Sequence, residues 1–371
     1  MKEKPDNRAF MAVLRPCVVV PLALTGGCMM GPDFQVPEAE VEAAWAGSGE
    51  AGISARREDL VEWWEVFGDP VLNRLVKKAS EENLTLQVAG LRVMEARAQL
   101  GIAVGNAYPQ VQQTTGGLSY NRNPAYAPKP EFSAASVGFD ASWELDLWGK
   151  YRRGIESANA NLLANVAGYE DVVVSLTAEV ARTYVLIRSL EERIETAKQN
   201  IVTQKQSTGI TKALWDDGAK SELDYQQAAT TLYSTEASVP ALEISLKQAE
   251  HSLAILLGEP PQDMSGYLSG SSGIPQAPAA IAAGIPSDLL RRRADIRQAE
   301  FQAAAQCAQI GIAKTDLYPR LSLLGSIGWN STNIGSQSLD DLFNSTTFSG
   351  NIGPTATWNV LNYGRIENNV R

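Results

Sequence analysis

The chain has 371 residues, enough for two average domains or one elongated one, and its 44% hydrophobic and 20% charged residues set aside a disordered chain. A formal net charge of -10 sets aside nucleic acid as a partner, because a phosphate-binding surface needs clustered Lys and Arg. One histidine, His251, and three cysteines offer neither a metal cluster nor a catalytic triad, so no metal, no diffusible cofactor and no enzymatic activity are expected.

The N-terminal segment reads as an export signal. Lys2, Lys4, Arg8 and Arg15 precede an apolar run, Pro16 to Leu24, that is too short and too broken by proline to span a bilayer. Thr25, Gly26 and Gly27 lead into Cys28. This resembles a bacterial lipoprotein signal, which implies removal of residues 1–27 and attachment of a diacylglycerol and an N-acyl chain to Cys28. Thr25 stands where the usual pattern has the leucine that lies one place further out here, and a plain signal is the alternative. Cys307 sits on a helical apolar stripe and is expected to be buried and inert.

Residues 28–69 form an N-terminal arm: a Pro-containing stretch from Gly31 to Pro37, a short amphipathic piece through Trp45, and the group Trp63-Trp64 with Phe67-Gly68-Asp69-Pro70. Asp69 and Pro70 are a helix cap and a first helical residue, and the apolar spacing predicts one helix from Pro70 to about Ala107. A strand is predicted over 111–120, followed by a Pro-rich loop and a second strand over 136–148 with strict period-two alternation. Val137, Phe139, Trp143, Leu145 and Leu147 fall on one face of it, while Asp140, Glu144 and Asp146 fall on the other. Such a strand fits either a membrane barrel, with an apolar lipid side and a polar lumen side, or an amphipathic soluble sandwich.

A long helical hairpin is predicted over 150–257. Its first helix is interrupted only by Gly168 before about Gln206, its turn is at Asp216-Asp217-Gly218, and Pro240 should kink its second helix or mark a change of packing partner. Residues 70–258 thus make one structural repeat, and a linker rich in Pro, Gly, Ser and Ala, extended or mobile, follows over 259–285. Residues 286–371 begin the repeat again. Ala98-Gln99-Leu100-Gly101 and Tyr108-Pro109 recur as Ala308-Gln309-Ile310-Gly311 and Tyr318-Pro319, strands are predicted over 321–330 and 352–363, and Tyr363-Gly364-Arg365 echoes Trp148-Gly149-Lys150. The chain stops where a second hairpin is expected. It therefore reads as a fragment of a longer product, or a defective one, that would assemble poorly.

Four strands cannot close a membrane barrel, and lipid tolerates no open sheet edge, so several chains must share one. Nearly the whole chain resembles the outer membrane efflux protein family, the TolC-like factors, in the lipoprotein branch of nodulation-protein-T type. The residues that carry the resemblance are Cys28 with Gly31-Pro32-Asp33-Phe34, Trp63-Trp64, Phe67-Gly68-Asp69-Pro70, Tyr108-Pro109, Trp143 to Gly149, Gly218 to Asp224, Leu256-Leu257-Gly258, and Ile285 to Leu290 with Asp295-Ile296. Ala294 departs from the family pattern, which usually has proline there.

The resemblance implies a mixed α+β membrane protein: long helical hairpins forming a periplasmic tube, and four antiparallel strands contributing to a shared trimeric 12-stranded barrel. It also implies a homotrimer in the outer membrane that meets a periplasmic adaptor and an inner-membrane pump and performs no chemistry itself. The turn between the long helices, with Trp215, Asp217, Gly218, Ala219, Lys220, Ser221, Leu223 and Asp224, is then the expected docking tip. A lipid-anchored periplasmic coiled-coil scaffold is the competing reading, and it needs heptads sustained past Gly168, Gly218 and Pro240. An exported hydrolase would need a nucleophile and base, and none is evident.

Overall fold

A computed structural model describes residues 28–38, 41, 53–54, 62–123, 131–277, 281–282, 290–334 and 338–371. The expected signal segment, the piece around Trp45 and residues 283–289 lie outside them. In chain order the principal elements are α1 (Pro70–Glu82), α2 (Leu84–Gly105), β1 (Val111–Arg122), β2 (Glu131–Glu144), α3 (Lys150–Asp216), α4 (Glu222–Leu256), α5 (Ser265–Leu268), α6 (Ala294–Thr315), β3 (Arg320–Thr332), β4 (Phe348–Thr357) and α7 (Arg365–Val370). Two compact units divide the chain: residues 1–37, 94–164 and 299–371, and residues 38–93 and 165–298.

The second of these units is helical, and its core begins at Asp69. The Asp69 carboxylate accepts from the Val71 and Leu72 amides at 2.8 and 3.2 Å, supplying partners for donors that a helix start leaves unpaired. From that cap, Val71, Leu72, Leu75, Val76 and Ala79 turn one face of α1 onto Val180, Tyr184 and Ile187 of α3 and Leu253 and Leu257 at the end of α4. Burial of so many aliphatic side chains, roughly 1.5–3 kcal/mol each, is what holds the unit together.

The helix expected from Pro70 to Ala107 is two helices, because Asn83 serves neighbours on both sides. Its amide nitrogen Nδ2 donates to the Leu256 carbonyl at 2.9 Å and its Oδ1 accepts from the Leu86 amide at 3.0 Å, capping α2. Gly168 does not interrupt α3; a Cβ there would meet the Gln298 side chain at 2.7 Å, so this glycine makes room for a neighbour. The helical assignment of α4 likewise continues through Pro240, over 35 residues or roughly 52 Å. Lys198–Glu243 and Lys205–Glu236 pairs, at 3.4 and 2.9 Å, tie α3 to α4. The stretch after Gly258, expected to be extended or mobile, is packed over its first part: Met264 and Leu268 are buried in the same core.

The other unit holds a four-stranded sheet of order β1-β2-β3-β4, antiparallel throughout. Beside it the arm from Cys28 lies against the first turn of α3. The Met30 amide donates to the Trp148 carbonyl at 3.0 Å, and Arg153, only 1% exposed, donates to the Met30 and Gly31 carbonyls and to the Asp33 carboxylate. Gly31 and Gly311 permit that approach, since a Cβ on Gly31 would stand 2.4 Å from the Gly311 Cα. Cys307 is half-buried, not buried, with its thiol 3.6 Å from the Pro32 carbonyl.

Candidate functional site: a two-faced sheet, its junctions and a helical tip

Directly opposed residues of a sheet share a face, so the registers sort the side chains. Val137 pairs with Gly116 and Trp329, Phe139 with Thr114 and Ile327, and Trp143 with Leu323; Trp329 and Gly325 pair in turn with Phe348 and Ile352. That face is largely apolar. On the other, Asp140 pairs with Gln113 and Ser326, Ser136 with Gly117 and Asn330, and Ser326 with Asn351. Thr115 Oγ1 donates to Asp140 Oδ2 at 3.2 Å on this polar face. The structure therefore extends across all four strands the alternation that β2 shows alone. Both edge strands, β1 and β4, present unpaired backbone within the chain.

Strand β2 spans 131–144, not 136–148. It reaches upstream because Phe132 to Ala135 pair with Leu118 to Asn121, and it stops because the chain turns toward α3. Leu147 donates its amide to the Leu145 carbonyl at 2.9 Å, so Leu145, Asp146 and Leu147 lie beyond the strand and its alternation assigns them no face. Asp146 instead caps α3: it accepts from the Tyr151 and Arg152 amides, both at 3.1 Å, and from Arg152 Nε. Glu144, the last residue of β2, pairs with Lys150 at 3.2 Å. Burial and then the Glu144 charge push the Tyr151 hydroxyl up to about 12, so it stays protonated. Strand β4 likewise ends at Thr357 rather than 363, where Trp358 Nε1 donates to the Leu317 carbonyl at 3.0 Å.

At the turn between α3 and α4 the chain reverses at Gly218, whose φ of +75° is the left-handed region that glycine enters without penalty. The Gly218 amide donates to the Trp215 carbonyl, and the amides of Ala219 and Lys220 to that of Leu214. Ser221 then opens α4 with a capping box: its hydroxyl accepts from the Asp224 amide while the Asp224 carboxylate accepts from the Ser221 amide at 3.1 Å. Bonds from Ser221 hold Asp224 below the ordinary carboxylate value. Trp215 stacks on Tyr225, centroids 5.4 Å apart and planes 8° from parallel, and Leu223 is exposed. The expected tip residues are thus brought together on one turn.

Two side chains that hold these sites in place escaped the sequence reading, Arg153 and Tyr225. For Arg153 a signal existed: cations in the first turn of a helix oppose its dipole and imply carboxylate partners, which are Asp33 at 2.8 Å and Glu156 at 2.6 Å. Cys28 is exposed at the start of the arm that Arg153 holds.

The chain matches the model of the family described as outer membrane efflux protein over residues 75–259 and 285–371. It is 35% identical over 314 residues to nodulation protein T of Rhizobium leguminosarum bv. viciae, covering 83% of this chain and 63% of that protein. The solvent efflux pump outer membrane protein SrpC of Pseudomonas putida is 31% identical over 357 residues, 94% of this chain and 74% of SrpC. Among solved structures, the outer-membrane channel OprN is similar with a TM-score of 0.83 and 32% identity, over 92% of this chain and 76% of OprN. The chain spans less than two thirds of the two nodulation proteins T that it matches, 63% and 65% of their lengths.

Proposed function

Because this chain belongs to the outer membrane efflux protein family, we propose that it is the outer-membrane channel component of a tripartite efflux system. Its relatives include a solvent efflux pump outer membrane protein and a cation efflux system protein, and small molecules, drugs among them, are the cargo class proposed here. The channel is passive: it supplies a path and no catalytic group, and the pump supplies the energy. Three copies share a twelve-stranded barrel in the outer membrane, and their helical hairpins extend into the periplasm as a tube. The turn carrying Trp215, Gly218 and Leu223 meets the periplasmic adaptor, and acyl chains on Cys28 anchor the arm.

The observation that carries this reading is the four-stranded sheet with one apolar face, one polar face and two open edges. A sheet in lipid needs an apolar outside and must leave no edge unpaired, and four strands meet the second condition only by sharing a barrel. A coiled-coil scaffold needs neither. The test is extraction and conductance. The channel reading expects the chain to require detergent for release from outer membranes and to produce discrete conductance steps in planar bilayers. Release by salt alone, with no conductance, would overturn it.

A further inference from the structure

The two repeats build the same strand-to-helix junction. In the first, Trp143 Nε1 donates to the Ala107 carbonyl at 3.2 Å, and Trp148 is followed by Gly149 at φ +80°. In the second, Trp358 Nε1 donates to the Leu317 carbonyl at 3.0 Å, and Tyr363 is followed by Gly364, also at φ +80°. Tyr363 therefore occupies the place of Trp148.

Trp148 has its complement inside the chain. It stacks on Tyr318 with centroids 4.7 Å apart and donates Nε1 to the Pro319 carbonyl at 2.8 Å, while Leu145 donates its amide to the Leu321 carbonyl. Tyr318-Pro319 is the second repeat's copy of Tyr108-Pro109. By the repeat, Tyr363 should meet a Tyr108-Pro109 turn. The one in its own chain leads into β1, at the opposite edge of the sheet from β4. Tyr363 is 94% exposed and Tyr108 66% exposed. Tyr363 also holds φ +51°, a left-handed backbone that a residue with a Cβ seldom adopts.

The geometry points to an intersubunit contact in which Tyr363 of one subunit stacks on Tyr108 of the partner subunit, with β4 pairing antiparallel to the partner's β1. The repeat also sets the register. Within the strands the pairing runs one residue out of step with the Tyr-Pro alignment: Gln112, opposite Ala141, takes the place of Leu321, opposite Ala356, as Trp143 takes that of Trp358, and this keeps both on the apolar face. The β2–β3 pairs Val137–Trp329 and Phe139–Ile327 then carry over as Ile352 opposite Tyr120 and Pro354 opposite Leu118 across the subunit boundary. Ile352, Leu118 and Tyr120 are 78, 77 and 70% exposed in the single chain, and this register gives each a side-chain neighbour across the boundary. The contact rests on the shared-barrel reading and adds to it a residue-level closure.

The test is disulfide trapping in the full chain in detergent, with Cys307→Ser and the paired variants Ile352→Cys and Tyr120→Cys. Directly opposed strand residues bring their Cβ atoms near the 3.5–4.5 Å that a disulfide needs. Mild oxidation is expected to give reducible covalent dimers and trimers that neither single-cysteine variant gives. Ile352→Cys with Ser119→Cys, one residue out of register and on the opposite face, is expected to give none. An amine-reactive cross-linker on the same samples reports oligomers independently. Oligomers without the disulfide overturn this register and leave the shared barrel standing; monomers by both methods overturn both. Tyr363→Ala is expected to lose most of the oligomer that survives dodecyl sulfate without heating, and Tyr363→Phe to keep it. Equal oligomer in both variants overturns the stacking.

Discussion

Replacing Asp69 by alanine tests whether one carboxylate joins three parts of the helical unit. Besides capping α1, Asp69 Oδ2 accepts from the buried Tyr184 hydroxyl at 2.7 Å and from Ser271 at 3.1 Å. Arg188 donates Nε to the same Tyr184 oxygen at 3.2 Å and a guanidinium nitrogen to the Leu268 carbonyl at 2.5 Å. Asp69→Ala removes the cap, worth about 1 kcal/mol, and leaves the Tyr184 proton without its acceptor in the core, worth about 1–3 kcal/mol. The expected loss is therefore about 2–4 kcal/mol. Tyr184→Phe removes the stranded donor, so the double variant should be more stable than the sum of the single losses requires, by about 1–2 kcal/mol of coupling. Denaturant titration of the detergent-solubilised chain, followed by the fluorescence of Trp63 and Trp64 packed against this core, reads each value. A loss under about 0.5 kcal/mol for Asp69→Ala, where a buried orphan should cost at least 1, would refute the reasoning, as would strict additivity with Tyr184→Phe.

The same carboxylate predicts an acid limb. Burial alone would raise its pKa, but the bonds from Tyr184, Leu72, Val71 and Ser271 outweigh it and hold the group below its ordinary 3.8. A carboxylate lowered on folding contributes stability that is present above the unfolded value, near 3.9, and is lost as pH falls through the folded value. Asp69→Asn should flatten the stability profile below about pH 4 and leave its slope unchanged above about pH 6.

Three further variants probe the sheet, the tip and the arm. Val137→Arg, on the apolar face in the middle of β2, should cost about 2–4 kcal/mol of vesicle insertion near the bilayer midplane, while Ser136→Arg, its neighbour facing the other way, should cost little; equal costs would mean the strand does not lie in a membrane barrel. Gly218→Val forces a β-branched residue to φ +75° and should abolish drug export while oligomers and membrane insertion persist, so unchanged export would move the adaptor site elsewhere. Gly311→Ala would put a methyl group 2.7 Å from the Met30 carbonyl and should strip hydrogen-exchange protection from the Met30 amide; protection kept at the native level would show that the arm is held without that close approach.

What was legible in the sequence followed period and repetition. Alternation from Ser136 to Trp143 announced a two-faced strand, and the second Tyr-Pro pair announced its copy; both signals are local and survive in the folded chain. What misled was alternation that continued after the strand had ended. Leu145, Asp146 and Leu147 keep the apolar-polar rhythm by residue type, yet their backbone already turns to deliver Asp146 beneath α3. The break at Asn83 was illegible for the opposite reason. Apolar spacing continues through Leu84 and Leu86, and the bond that holds Asn83 open comes from Leu256, far along the chain. Met264 and Leu268 hid in a composition that signals a linker, because two buried side chains do not alter a Pro- and Gly-rich average.

The carboxylates at the end of β2 change what the strand-to-helix junction is for. Lys150, Arg152 and Arg153 crowd the first turn of α3, where the helix dipole disfavours cations, and each has an acid beside it: Glu144, Asp146, and Asp33 with Glu156. Without Glu144 at the end of β2 and Asp146 just beyond it, that turn would carry uncompensated positive charge against the same backbone amides. Their placement neutralises it, while Asp140 stands on the same polar face of β2 as Glu144, four residues further from the junction. At the end of the apolar face and just beyond it, the indoles of Trp143, Trp148 and Trp358 each donate to a backbone carbonyl, of Ala107, Pro319 and Leu317. Charge pairs and hydrogen-bonded indoles bordering an apolar band are what a membrane–water interface requires. In the channel reading the junction therefore marks where the lipid ends, and the strand stops there because its next residues are needed to hold a helix in water.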